Sequence, residues 1–226
     1  MMFRDRSHAG DLLAERLAGR GEGPCVVAAI PRGGVVVALP IAARLGAPLT
    51  LVYARKLSSP SWPELAFGAL DEDGFDLLDD AAIDALGLDA TDIDAARSQT
   101  RDAIRARIEL YRAPRLADLL PGRGLVIVDD GLATGLTVLA AIRYARRHDA
   151  TDITVAVPCA ASESAARVER EADRLVSLVT DPGFRGVSQY YVDLPQVSDD
   201  EVTAMLATAR AQREDPVASG AERSPA

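Results

Sequence analysis

The stretch GLVIVDDGLATGLTVLAAI, Gly124–Ile142, decides the fold. It opens with an uninterrupted apolar run, the pattern of a parallel strand buried on both faces. Its second half reads as a helix beginning near Thr134. Between them stand two adjacent carboxylates, Asp129 and Asp130, and a small-residue turn carrying Thr134 and Thr137. Like charges at the tip of a buried strand are costly unless something outside the protein meets them. The N–H groups of such a turn, backed by a helix N-terminus, form an anion cradle, and threonine hydroxyls add donors. A ligand with vicinal hydroxyls and a phosphate, such as a sugar phosphate, satisfies both halves. The plainer alternative is an aspartate pair that caps the following helix. The glycine spacing excludes a Walker A loop, since Gly131 and Gly135 stand one residue too close and Leu136 replaces the lysine.

Outward from this stretch, apolar runs and helical patterns alternate along the chain. CVVAAI (Cys25–Ile30) reads as a buried strand, followed by Pro31-Arg32-Gly33-Gly34 and an apolar helix. LTLVYARK (Leu49–Lys56) reads as the next strand, ending in Arg55 and Lys56. DITVAVPCA (Asp152–Ala160) and RLVSLVT complete five strands, with a helical SESAARVEREA between them. Such alternation specifies an α/β, doubly wound, mostly parallel sheet with flanking helices. Ligands of such sheets bind beyond the carboxyl ends of the strands, which is where Pro31–Gly34, Arg55-Lys56 and Asp129-Asp130 fall.

Residues 57–75 read as a loop or ribbon containing Pro60, Trp62, Pro63 and Gly68, a candidate lid. A long charged helix follows, with Ile93, Ile104, Ile108 and Leu110 available for its buried side. Residues 181–210 read as a small cap: a strand with Phe184, Tyr190 and Tyr191, then a helix whose capping box is Ser198 and Glu201. Adjacent tyrosines on a strand point in opposite directions, so one is expected inside and one outside. The reading is a single domain over 1–210, with a disordered, apolar-poor tail over 211–226.

The composition narrows the function. A net charge of −9 argues against a nucleic-acid surface. No apolar run reaches the roughly 20 residues that span a bilayer, and the N-terminal residues lack a signal-peptide core, so the expected location is the cytosol and no membrane contact is expected. The two cysteines and two histidines show no metal-ligand spacing, and no Gly-x-Ser-x-Gly elbow is present.

VIVDDGLATGLT resembles the signature with which type I phosphoribosyltransferases bind 5-phosphoribosyl-1-pyrophosphate (PRPP). PRGG is similar to that family's pyrophosphate loop, and Arg55-Lys56 to a pair that faces pyrophosphate in adenine-type members. The wider pattern FRDRxHAG, PRGGVVVA, PELAxGA, DDGxATG and YY resembles a bacterial subgroup of phosphoribosyltransferases with unassigned base substrate, over about residues 3 to 208.

The resemblance implies a fold of that family's type, with a lid and a C-terminal hood. It implies that Asp129 and Asp130 hold the ribose hydroxyls, and that Ala133, Thr134, Gly135, Leu136 and Thr137 wrap the 5′-phosphate. Pro31, Arg32, Gly33, Gly34, Arg55 and Lys56 would meet pyrophosphate, and Pro31–Arg32 is the candidate for the cis peptide frequent there. Arg32, Lys56, Asp129 and Asp130 would be the catalytic set, with Mg²⁺ carried on PRPP and water-linked to the two aspartates. Phe184, Tyr190 and Tyr191 are candidates for a base pocket. Ala133 stands where 6-oxopurine members have an aspartate, so the acceptor base and the general base are left open. The implied reaction moves the phosphoribosyl group to a nitrogenous acceptor in nucleotide salvage, in a homodimer; the rival is a non-catalytic PRPP or nucleotide sensor of the same fold.

Overall fold

A computed structural model describes residues 1–19, 23–59 and 61–214. Pro60, the middle of the Gly19–Gly23 connector and the tail from 215 onward lie outside the described residues. Asp5 caps α1 (Arg6–Leu17) by accepting from the His8 N–H at 2.8 Å. The first buried run becomes β1 (Cys25–Ala29) and leads through Pro31–Arg32 into α2 (Gly33–Leu45), which ends on left-handed Gly46. Gly10 lets α1 lie against α2, since a Cβ there would stand 2.5 Å from the Val37 carbonyl and 2.6 Å from Pro40 Cγ.

LTLVYARK does not form one strand. Leu49–Leu51 (β2) pairs with β1 only as far as Ala29, where β1 ends. Beyond that point the chain turns away and builds a second sheet of β3 (Ala54–Ser58), β4 (Ala66–Asp71) and β5 (Asp76–Leu78), all antiparallel. The expected lid is thus part of a three-stranded ribbon, irregular at Ser59 and over 61–65 and at the far turn. Its far turn is tied down: Asp71 accepts the N–H groups of Asp73 and Phe75 and pairs with Arg147, and Glu72 accepts from the Tyr144 hydroxyl.

A short α3 (Asp80–Leu86) precedes α4 (Ala90–Tyr111), which starts on a reciprocal Asp89–Asp92 capping box. Its buried residues are Ala96, Thr100, Ile104 and Tyr111. Leu110, expected inside, is exposed, because seven residues on from Ile104 the helical period returns to Tyr111. One turn, α5 (Leu116–Leu119), leads to β6 (Gly124–Val128) and α6 (Leu136–Arg147). Then follow β7 (Ile153–Ala161), α7 (Ser162–Glu169) and β8 (Arg174–Asp181).

The main sheet has the order β2-β1-β6-β7-β8, all parallel. Alternate residues of its central strands face opposite cores. Val27, Ala29, Val126 and Val128 pack with α1, α2, α4 and the C-terminal helix; Val26, Ala28, Leu125 and Ile127 pack with α5, α6 and α7. Helices therefore cover both faces, the doubly wound α/β architecture. The chain grows from β1 to β2 on one side and resumes with β6 on the other, which places the topological switch between β1 and β6.

The hood differs from expectation in one respect. Val187–Tyr190 is a 3-10 turn, and an isolated bridge joins the next residue, Tyr191, to Phe3. A strand would expose one tyrosine; the turn lets both point inward, and Tyr190 and Tyr191 are only 5% and 6% exposed. The final helix, α8 (Asp199–Glu214), has the expected box, with Glu201 accepting the Ser198 N–H at 2.7 Å and donating its own N–H to Ser198 Oγ at 3.2 Å. It runs four residues into the stretch expected to be disordered.

Candidate active site

The register Ala29 with Val128 brings the loops after β1 and β6 out side by side, and the Ile30 N–H donates to the Val128 carbonyl at 2.9 Å. The Pro31–Arg32 peptide is cis, as the resemblance led one to expect. Gly33 and Gly34 follow because the acid-bearing turn lies directly against them. A Cβ on Gly33 would stand 1.9 Å from Asp130 Oδ2; one on Gly34 would stand 2.7 Å from the Val128 carbonyl oxygen and 3.1 Å from Asp129 Cα.

The two carboxylates are held differently. Asp129 Oδ1 accepts the Asp130 N–H at 2.8 Å. Burial and the neighbouring Asp130 charge push its carboxyl well above the usual range, against the opposing pull of that N–H, Lys56 and Arg6. Asp130 Oδ2 accepts from Nε of Arg6 at 2.8 Å and is ion-paired with Nη2 at the same distance, and the third nitrogen of that guanidinium donates to the Pro195 carbonyl at 2.6 Å. The Asp130 carbonyl accepts the Tyr191 hydroxyl at 2.8 Å. Arg6 was not anticipated as a site residue. It lies in the FRDRxHAG segment, but nothing local indicates a partner 124 positions away.

The small-residue turn is fixed from behind. Leu132 donates its N–H to the Cys159 carbonyl at 2.8 Å and accepts from Ala161 at 2.9 Å, while Ser164 Oγ donates to the Ala133 carbonyl. Gly135 adopts a left-handed conformation (φ 77°) and α6 begins at Leu136, two residues later than expected. Among the described residues no side chain caps this helix start, which leaves its first-turn N–H groups free to meet an anion beside Thr134 and Thr137.

Arg55 and Lys56 face opposite ways on β3. Lys56 is exposed and its charge acts on Asp129. Arg55 is half-buried, its pKa lowered by that burial and by the charge of Arg107, beside Tyr111, Arg32 and Asp199. Arg32 Nη1 lies 3.7 Å from Asp199 Oδ1, and Asp199 also accepts the Tyr111 hydroxyl. At the ribbon tip Trp62 is 64% exposed.

The aromatic candidates for a base pocket are not arranged as an open platform. Tyr190 stacks on Phe184 with centroids 5.4 Å apart and donates to Asp181 at 2.7 Å; Tyr191 packs on Phe3 at 5.4 Å. Both tyrosines belong to a buried cluster with Cys159 and Ala9, which corrects the expectation that a strand would turn one of them outward.

The site thus sets a vicinal acid pair beside an uncapped helix start on a doubly wound α/β sheet. The phosphoribosyl transferase domain matches residues 6–193, and the chain belongs to that family. Proteins of Mycobacterium tuberculosis CDC 1551 and H37Rv, provisionally named phosphoribosyl transferases, are 44% identical over 205 residues. That alignment takes in 91% of this chain, which spans 46% of the length of those curated relatives. The solved structure of the Thermus thermophilus protein TT1426 is 41% identical, with a TM-score of 0.75 over 92% of this chain and 99% of that one. A Neisseria gonorrhoeae protein, 14% identical with a TM-score of 0.50 over 93% and 99% of the two chains, shares the fold.

Proposed function

We propose that this chain transfers the 5-phosphoribosyl group of PRPP to a nitrogenous acceptor, a nucleobase by class, and releases pyrophosphate. The observation that carries the reading is the meeting of the Pro31–Gly34 loop with the acid pair and the Thr134–Thr137 turn at the switch between β1 and β6. In this reading Asp129 and Asp130 accept the ribose hydroxyls, and the N–H groups of Ala133, Thr134, Gly135, Leu136 and Thr137 receive the 5′-phosphate. Arg32, Lys56 and the Gly33-Gly34 backbone address the leaving pyrophosphate, with Arg55 behind them.

The reaction separates charge, a developing ribose cation from a departing anion. Positioned cations and carboxylates therefore supply the rate enhancement more than proton transfer does. Among the described residues no group of three or more His, Cys, Asp or Glu could form a metal nest. Two carboxylates suit Mg²⁺ bound mainly by substrate phosphates, so the proposed cation comes with PRPP and meets Asp129 and Asp130 through water. Bound there, it would neutralise charge on the leaving group. The ribbon tip with Trp62 is the proposed water-excluding element. Among the described residues no helix is long and apolar enough to cross a membrane, and a cytosolic homodimer acting in nucleotide salvage is part of the proposal.

The test supplies PRPP and Mg²⁺ with a panel of nucleobases and detects pyrophosphate. Release with one acceptor, abolished together with PRPP binding in Asp129→Asn/Asp130→Asn, is the expected result. Tight PRPP binding without release on any acceptor would replace the transferase by a sensor. Normal PRPP binding by the double variant would refute the site assignment.

A further inference from the structure

Arg6 stands outside every loop assigned above, yet its guanidinium touches three of the site's parts. Nε and Nη2 both meet Asp130 Oδ2 at 2.8 Å, Nη1 meets the Pro195 carbonyl at 2.6 Å, and the position of a Cβ on Gly33 is 2.7 Å from Nε. The side chain is only 12% exposed, so its charge is poorly hydrated and depends on these partners. All three guanidinium nitrogens are engaged, two of them on one oxygen. Asp130 Oδ1 accepts no hydrogen bond from the described residues. The backbone of Asp130 is fixed independently, through its N–H on Asp129 and its carbonyl on Tyr191. What Arg6 adds is the orientation of the carboxylate itself.

We propose that Arg6 is a positioning residue of the donor site, which clamps Asp130 by one oxygen so that the other is presented to a ribose hydroxyl, and which ties that oxygen to the hood through Pro195. The clamp keeps the Asp130 carboxylate rotationally fixed beside Asp129, where repulsion would otherwise turn it away. It also makes diol binding sensitive to the segment that leads from Pro195 into α8. A lysine cannot reproduce it, because a single ammonium lacks the planar fork that spans both partners.

This inference rests on the PRPP reading above, and the test separates the two. PRPP and inorganic pyrophosphate are titrated calorimetrically into the full chain, Arg6→Met, Arg6→Lys, Asp130→Asn and the Arg6→Met/Asp130→Asn double variant. Arg6→Met is expected to weaken PRPP at least tenfold and pyrophosphate less than twofold, since only PRPP brings the diol. Arg6→Lys is expected to lose three- to fivefold and serves if Arg6→Met does not fold. In the Asp130→Asn background, removal of Arg6 should cost PRPP nothing further. Unchanged PRPP affinity, parallel loss of both ligands, or additive losses would overturn the proposal alone. A wild-type chain that binds no PRPP would reject the donor assignment and the clamp with it.

Discussion

Gly33→Ala is the sharpest perturbation of the site, because its consequence can be worked from distances. The new Cβ would stand 1.9 Å from Asp130 Oδ2 and 2.7 Å from both Asp130 Cγ and Arg6 Nε. Ordinary contact requires the carboxylate to retreat by about 1.5 Å, which breaks a fork now at 2.8 Å. Losing a charge-assisted hydrogen bond costs about 1.5–3 kcal/mol, and alanine in a helix returns at most about 1 kcal/mol over glycine. The net loss is about 0.5–2 kcal/mol, a fall in Tm of roughly 1–8 °C for a chain of this size. PRPP affinity should fall further, by at least about tenfold or 1.4 kcal/mol, since pushing the clamped Oδ2 aside also turns Oδ1, the proposed hydroxyl acceptor. Gly34→Ala is the contrast. Its Cβ would meet the Val128 carbonyl and Asp129 Cα, backbone atoms of a central strand end that cannot step aside. Its stability loss should therefore be larger, at the upper end of about 1–3 kcal/mol for overpacking. Thermal melts and calorimetric PRPP titration measure both. A Gly33→Ala protein with wild-type Tm and wild-type PRPP affinity would refute the geometric account of this loop.

Two further outcomes follow from the hood. Tyr191→Phe should lower Tm by roughly 1–6 °C, since the Asp130 carbonyl loses a bond worth about 0.5–1.5 kcal/mol, yet leave the preference among acceptors unchanged; an altered acceptor profile would return Tyr191 to a base pocket. Glu201 is held below the usual glutamate range by the N–H and hydroxyl of Ser198, so its contribution is present above the ordinary glutamate pKa and is lost as pH falls through the lowered one. Acid titration followed by melting should show Glu201→Gln less sensitive than wild type in that acidic window; identical pH profiles would show that the box does not set the acid stability of α8.

Much of the sheet was legible because both faces of its central strands are buried, which leaves continuous apolar runs such as Val26–Ile30 and Leu125–Val128. The acid pair and the PRGG loop were legible for a related reason: charged or side-chain-free residues at such strand ends contradict their apolar setting. The ribbon was not, because LTLVYARK carries no mark at Val52–Tyr53 and its break depends on β1 ending at Ala29. The tyrosines misled because adjacent aromatics read as a strand pair, whereas Gly186 and the 3-10 turn rotate both inward. The start of α6 shifted because Gly135 takes a left-handed conformation that a reading by apolar pattern does not detect. Arg6 was invisible for a different reason. An arginine at the start of an amphipathic helix looks like any solvated cation, and its partner is supplied only by the tertiary fold.

The like charges that first made Asp129-Asp130 hard to place have a physical resolution. Three charged groups of the proposed donor site already have an internal counterpart: Arg6 for Asp130, the Asp130 N–H and the field of Lys56 for Asp129, and Asp199 for Arg32. These counterparts offset part of the cost of gathering the groups at one strand end, although burial and Asp130 still push the Asp129 carboxyl up. The pairs are unequal, however. Arg6 with Asp130 is tight and mostly buried, whereas Arg32 with Asp199 is 3.7 Å long and about a third or more exposed on both sides, a pair of small worth. An entering pyrophosphate would therefore displace Asp199 from Arg32 at little cost, while the diol would add to the Arg6 clamp without breaking it. Such a division would give the proposed site a ribose subsite organised before binding and a leaving-group subsite that exchanges partners on binding, which suits the proposed displacement at C1.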